Sequence, residues 1–129
     1  MSGRMTPEDL SADVKSALNG LRLKGIGLAV GSSSRNTSFI LERLGLSDYF
    51  DAVADGTQIT RSKPDPEVFL LAADKLGVQP ARALVVEDAA AGIEAARAGG
   101  FPSAAIGEAA SRMGADYVLE KISDVLKLV

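Results

Sequence analysis

The chain has 129 residues, 47% hydrophobic and 24% charged, which is the composition of one soluble globular domain and leaves no room for a second. Its 14 Lys and Arg against 17 Asp and Glu give a net charge of -3, with no basic block to follow a phosphate backbone, so nucleic acid is not an expected partner. Histidine and cysteine are both absent, which excludes Ser-His-Asp and Cys-His catalysis, thiolate or imidazole metal sites and disulfides.

In chain order, Pro7-Glu8-Asp9-Leu10 opens a helical pattern that continues through Val14, Leu18, Leu21 and Leu23, with Gly25 after Lys24 as its stop. Residues 26–30 read as a buried strand, residues 31–36 as a polar turn, and Phe39, Ile40, Leu41 and Leu44 as a second helix closed at Gly45. Residues 50–54 form a short strand and Asp55-Gly56-Thr57 a turn. Lys63-Pro64-Asp65-Pro66 introduces a helix ending at Gly77, with Asp65 as N-cap and Pro66 at the first helical position. Residues 83–86 are the most strand-like run. They lead through Glu87-Asp88 into an Ala-rich helix ending at Gly99-Gly100, then strands at 103–106 and 117–119. Strands alternating with helices predict one α/β domain with a parallel sheet buried on both faces.

No apolar run approaches the roughly 18 residues that a membrane span requires. Residues 1–7 carry one basic residue and no apolar stretch, so no secretory signal is expected, and a cytoplasmic location is the default.

In an open α/β sheet ligands bind at the carboxyl ends of the strands, so the polar residues that follow each apolar run carry the functional information. There are three such groups. Ser32-Ser33-Ser34-Arg35-Asn36 offers a hydroxyl and helix-entry amides to a phosphate oxygen, although serines are also ordinary helix caps. Lys63 could neutralise a transferring phosphoryl group, or simply be a solvated surface lysine. Glu87-Asp88 supplies two hard oxygen donors suited to Mg²⁺, or else Asp88 caps the next helix while Glu87 is solvated.

Val30-Gly31-Ser32-Ser33-Ser34, Ser62-Lys63-Pro64-Asp65-Pro66 and Val85-Val86-Glu87-Asp88-Ala89-Ala90-Ala91-Gly92-Ile93, in that order, closely resemble motifs II, III and IV of the haloacid dehalogenase superfamily. The β-phosphoglucomutase branch is the most similar, and the likeness extends over about residues 7–120, including Phe39 to Leu46 and Tyr49 to Val53. The resemblance implies a three-layer α/β/α Rossmann-like core and Mg²⁺-dependent phosphoryl transfer, through an aspartyl-phosphate, on a small phosphorylated metabolite such as a sugar phosphate. It also implies roles: Ser32 and Lys63 hold the transferring phosphoryl oxygens, Glu87 and Asp88 carry the metal, and Ser33, Ser34, Arg35 and Asn36 line the substrate, the last two at a second phosphate.

One departure from the family's pattern is large. Its members begin with a strand ending in Asp-x-Asp, the first Asp the nucleophile and the second the general acid/base, followed by a helical cap. Neither precedes motif II here, and residues 1–6 hold no Asp and no strand-like run. Asp55-Gly56-Thr57 imitates the tail of that motif but has Val53 at the nucleophile position. In the family's strand order, 5-4-1-2-3, Asp55 ends strand 3, roughly 10 Å from strand 1 and 14 Å from the metal pair, too far to substitute.

Without the central strand, the strands at 26–30 and 83–86 face each other with unpaired edges, at a cost on the order of 1–3 kcal/mol for each buried unsatisfied group. Three arrangements would relieve this: direct pairing of the two strands, a strand from a second chain in a homo-oligomer or strand exchange, or a longer parent protein. The expectation is that this chain is inactive alone, the alternative being a non-catalytic module that keeps the fold. A receiver-like phosphoacceptor domain is disfavoured, because receivers place their acidic pair before the Ser/Thr and Lys.

Overall fold

Short apolar runs flanked by helical patterns produce five short strands and four α-helices among the described residues, 7–107 and 110–129 of a computed structural model. The reading of residues 1–6 as neither strand nor signal lies outside these. The order is α1 (Pro7–Leu23), β1 (Ala29–Gly31), α2 (Thr37–Arg43), β2 (Ala52–Ala54), α3 (Glu67–Leu76), β3 (Val85–Glu87), α4 (Ala90–Ala98), β4 (Ser103–Ile106) and β5 (Tyr117–Leu119), with a 3₁₀ segment at Ile122–Leu128. Among the described residues, no helix is long and apolar enough to cross a membrane.

All pairings are parallel, as the strand-helix alternation predicts, but the strands form two sheets. β1 pairs with β2, and β3, β4 and β5 form a separate three-stranded sheet in that order. Direct pairing of the first predicted strand with the 83–86 strand is therefore not what closes the fold: the inner edges of β1 and β3 share no ladder.

The strand boundaries also move, for local reasons. The first strand starts at Ala29 because the Leu28 N–H goes to Asp51 Oδ2 at 2.8 Å. The third starts at Val85 because Ala83 is still tied to the preceding turn, its N–H donating to Pro80 O. Pro66, not Asp65, is the N-cap of α3, and Glu67 is its first residue. Asp65 nonetheless makes a cap-like bond, its Oδ1 accepting the Glu67 N–H at 3.0 Å.

Alternation along each strand sends neighbouring side chains to opposite faces, which builds the three layers. On one face Ala29, Ala54 and Val85 join Val68, Phe69, Ala72 and Ala73 of α3 and Ala95 and Ala96 of α4. On the other, Leu28, Leu84, Val86 and Ala104 join Ala17, Leu18 and Leu21 of α1 and Val125 of the C-terminal segment. The first cluster joins Ala29 and Ala54 of one sheet to Val85 of the other, and the second joins Leu28, just ahead of β1, to Val86 and Ala104, so core side chains lie on both sides of the slot left between the unpaired β1 and β3 edges. Ser123 fastens α1 to the C-terminal segment, its N–H and hydroxyl donating to the two Asp13 carboxylate oxygens.

Two stability predictions follow from this packing. Ile93 is fully buried beside Ala105, so Ile93→Ala should lower the unfolding free energy by about 2–5 kcal/mol, read from urea denaturation midpoints. Asp124 is held below the usual carboxylate range, first by the Lys121 N–H, with Lys127 and the Glu120 N–H adding to it. Its stabilising contribution is complete above the ordinary aspartate value of about 3.9 and is lost as the pH falls through the lower folded-state value. Amide protection factors around residues 120–124, taken relative to the unstructured exchange rate at each pH, should fall on acidification, and Asp124→Asn should remove that dependence.

Candidate functional site

Lys63 occupies the mouth of the slot, where β1 and β3 both reach their carboxyl ends. Its Nζ donates to Glu87 Oε2 at 2.9 Å and to Gly31 O at 3.2 Å, joining the last residue of β3 to the last residue of β1. The Gly31 carbonyl is available because backbone groups alternate sides along a strand: the Ser32 N–H turns to Ala54 O, at 2.9 Å, so Gly31 O turns to the unpaired edge. The ammonium lies 4.7 Å from the centroid of the Phe69 ring, an additional cation–π contact. Side-chain exposures of 19% for Lys63 and 11% for Glu87 rule out the solvated-lysine and solvated-glutamate alternatives.

Glu87 rather than Asp88 satisfies the entry to α4. Its Oε1 accepts the N–H groups of Asp88 (3.1 Å) and Ala89 (3.3 Å), and the N-cap position falls on Ala89, so Asp88 is not the cap. Gly92, one turn into the helix, leaves space for that carboxylate: a Cβ there would stand 1.9 Å from Glu87 Cγ. Gly31 does the same for Phe69, whose Cδ1 would meet a Cβ at 2.7 Å.

The serine loop is arranged by its own hydroxyls. Ser32 Oγ accepts the Ser34 N–H (3.2 Å) and Ser34 Oγ accepts the Asn36 N–H (3.1 Å). The alternate amides, Ser33 and Arg35, donate to nothing among the described residues. The loop is supported from β2: the Gly56 N–H donates to Ser34 O at 2.9 Å, and a Cβ at Gly56 would lie 2.2 Å from Ser33 O. Arg35 and Asn36 are exposed at the outer side of this loop.

The carboxylates divide by occupancy. Both Glu87 oxygens are already engaged, whereas the exposed Asp88 carboxylate accepts no hydrogen bond among the described residues. No group of three or more acidic, His or Cys side chains is placed to hold a metal ion among those residues. Of the pair, the Asp88 carboxylate could take up a hard cation such as Mg²⁺ without breaking a bond seen among the described residues, while Glu87 would have to release Lys63 or two amides to join it. Asp55 ends β2 on the far side of β1 from the slot, and Thr57, through its hydroxyl and then its N–H, draws the Asp55 pKa down and ties the carboxylate into its own turn. Asp65 accepts the Glu67 N–H and faces Arg61, and Asp51 sits at the opposite end of β2.

Gly31, Gly56 and Gly92 stand within the quoted motifs but were given no role from sequence, and Phe69 lies outside those motifs. An isolated glycine inside a helix pattern is a usable signal of close packing, which Gly92 fits. Phe69 gave no such signal, because an apolar residue in a helix reads as core.

Residues 4–100 match the haloacid dehalogenase-like hydrolase family. The β-phosphoglucomutase of Bacillus subtilis is 40% identical over 122 residues, covering 95% of this chain and 54% of that protein, and the fructose-1-phosphate phosphatase of Escherichia coli is 44% identical over 89 residues, covering 69% and 46%. The crystal structure of β-phosphoglucomutase from Clostridium difficile superposes with a TM-score of 0.82 at 32% identity, over 88% of this chain and 51% of that one. The chain therefore spans about half the length of the curated relatives it matches. Motif order, parallel α/β architecture and a family match over most of the sequence agree: the chain belongs to the haloacid dehalogenase-like hydrolase family.

Proposed function

We propose that this chain supplies the phosphoryl-holding and metal-holding part of a phosphotransferase or phosphatase site for a small sugar phosphate, acting in the cytoplasm. The single observation that carries this reading is the Lys63 ammonium, held between Gly31 O and Glu87 at the carboxyl ends of two strands, in a chain whose relatives include a β-phosphoglucomutase and a fructose-1-phosphate phosphatase.

Lys63 and Ser32 would bind the oxygens of the transferring group, where fixed donors act on developing charge without reorganising. The undonated Ser33 and Arg35 amides, with the Ser34 hydroxyl and the Arg35 and Asn36 side chains, would orient the rest of the substrate. Asp88, with Glu87 beside it, would hold Mg²⁺, which when bound neutralises phosphoryl oxygen charge. Glu87 has a second task in this reading, keeping Lys63 aimed into the slot until an anion arrives.

A nucleophilic carboxylate in line with this clamp is the remaining requirement, and none of the described aspartates meets it, since displacement by even 1 Å costs roughly 10²-fold. The slot lies between the unpaired edges of β1 and β3, whose carboxyl ends meet at Lys63, with a core cluster on either side. It suits one added parallel strand ending in Asp-x-Asp, from a longer parent protein or from a second chain. For the chain by itself, the same slot favours the second reading, a fold-keeping module without turnover.

The purified 129-residue chain should release no phosphate from β-glucose 1-phosphate or an aryl phosphate by a Mg²⁺-dependent, phosphoaspartate-linked route. Detecting such turnover in a preparation free of contaminating phosphatase would overturn this reading. With an Asp-x-Asp strand supplied ahead of α1, turnover should appear. Lys63→Ala should then lower it by about 10²–10³ and Asp88→Ala should weaken its Mg²⁺ dependence. Near-normal rates in the Lys63 variant would reject the role given to that residue.

A further inference from the structure

The connection between β2 and α3, residues 55–66, has no helix or strand to hold it, yet it carries Lys63 into a largely buried position. Two carboxylates tie it down. Asp55 secures its start by accepting the N–H and hydroxyl of Thr57. Glu67, the first residue of α3, reaches back across the far end: its carboxylate accepts the Thr60 N–H, the Arg61 N–H at 3.2 Å and the Thr60 hydroxyl at 3.2 Å. The Asp65 N–H donates to Ser62 O (3.1 Å), and Asp65 Oδ1 accepts the Glu67 N–H. Residues 60–67 thus form a closed ring with Lys63 inside it. Two residues further along the same helix, Phe69 lies against the Lys63 ammonium. The first turn of α3 therefore meets this connection at two points, Glu67 at the Thr60 and Arg61 backbone and Phe69 at the Lys63 ammonium.

We propose that Glu67 is the positioning residue that holds Lys63 in the slot, acting through the Thr60 and Arg61 backbone and touching no ligand itself. This rests on the reading of Lys63 as the phosphoryl clamp. A carboxylate accepting several N–H groups makes short, charge-assisted bonds, about twice as strong as neutral ones. The Thr60 N–H, then the Arg61 N–H, hold the Glu67 pKa below the usual carboxylate range. Without that carboxylate the Thr60 and Arg61 donors turn to water, and across the ring from residues 60–61 there remains, among the described residues, only the solvent-exposed Arg61–Asp65 ion pair at 3.8 Å.

Competitive acylation of the full chain, with each lysine quantified by mass spectrometry, tests this without requiring turnover. Lys63 should react at least about tenfold more slowly than Lys127, whose side chain is 80% exposed, as expected for an amine held in a charge-assisted hydrogen bond. Glu67→Ala should bring Lys63 to within about threefold of Lys127 while Lys24 and Lys75 keep their relative rates. Glu67→Gln, which retains one acceptor oxygen, should fall between, and it carries the test if the alanine variant does not fold. The proposal is overturned by wild-type Lys63 as reactive as Lys127, by unchanged protection of Lys63 in both variants, or by a parallel rise at Lys24 and Lys75, which would make Glu67 a general stabiliser. Inorganic phosphate with Mg²⁺ should further slow Lys63 in the wild type. Its failure to do so would count against the phosphoryl-holding reading and leave the role of Glu67 standing.

Discussion

One ammonium group ties the middle layer of this protein together. β1 and β3 share no backbone ladder, and at their carboxyl ends the link between them is Lys63, bonded to a main-chain oxygen of one strand and a carboxylate oxygen of the other. Lys63 and Glu87 are mostly buried, so each depends on the other to offset desolvation. Removing one member of such a pair typically costs about 3–5 kcal/mol because the survivor is left uncompensated. That dependence explains the neighbouring residue sizes: Gly92 leaves room for Glu87, and Gly31 leaves room for Phe69 under the ammonium.

The strands themselves are too short to stand alone. Strands of three or four residues in a two-stranded and a three-stranded sheet are marginal in water, and here α3 packs on β1 and β2, α4 packs on β3 and β4, and the two helices touch each other. α3 serves packing and chemistry together. Val68, Phe69, Ala72 and Ala73 are buried in the core, while Glu67 and Phe69 at its first turn set where Lys63 points. A substitution in this turn would act on stability and on the site at once.

The serine loop shows how a site can be prepared by bonds that never reach a ligand. Alternate hydroxyls take alternate amides, so the Ser34 and Asn36 N–H groups are spent internally and those of Ser33 and Arg35 are left over among the described residues. The loop rests on Gly56 across from it, where any side chain would collide with the Ser33 carbonyl. The conformation of Ser32 to Asn36 therefore depends on the turn that follows β2, a neighbour brought in by the β1–β2 pairing.

Periodicity and capping chemistry by themselves determined the succession of elements, the parallel arrangement and the three groups at the strand ends. Those depend on contacts within a few residues, as with Gly45, Gly77 and Gly100, whose positive φ angles fit the ends of the helices they follow. Strand 103–106 and strand 117–119 are found where the pattern puts them. Only the tertiary structure decided that the sheet is split, that Glu87 rather than Asp88 satisfies the entry to α4, and that Glu67 takes the Thr60 and Arg61 amides while Phe69 lies against Lys63. Each of these turns on which donor wins a given acceptor across the fold. That competition is settled by distances between segments far apart in the chain, which local pattern does not encode.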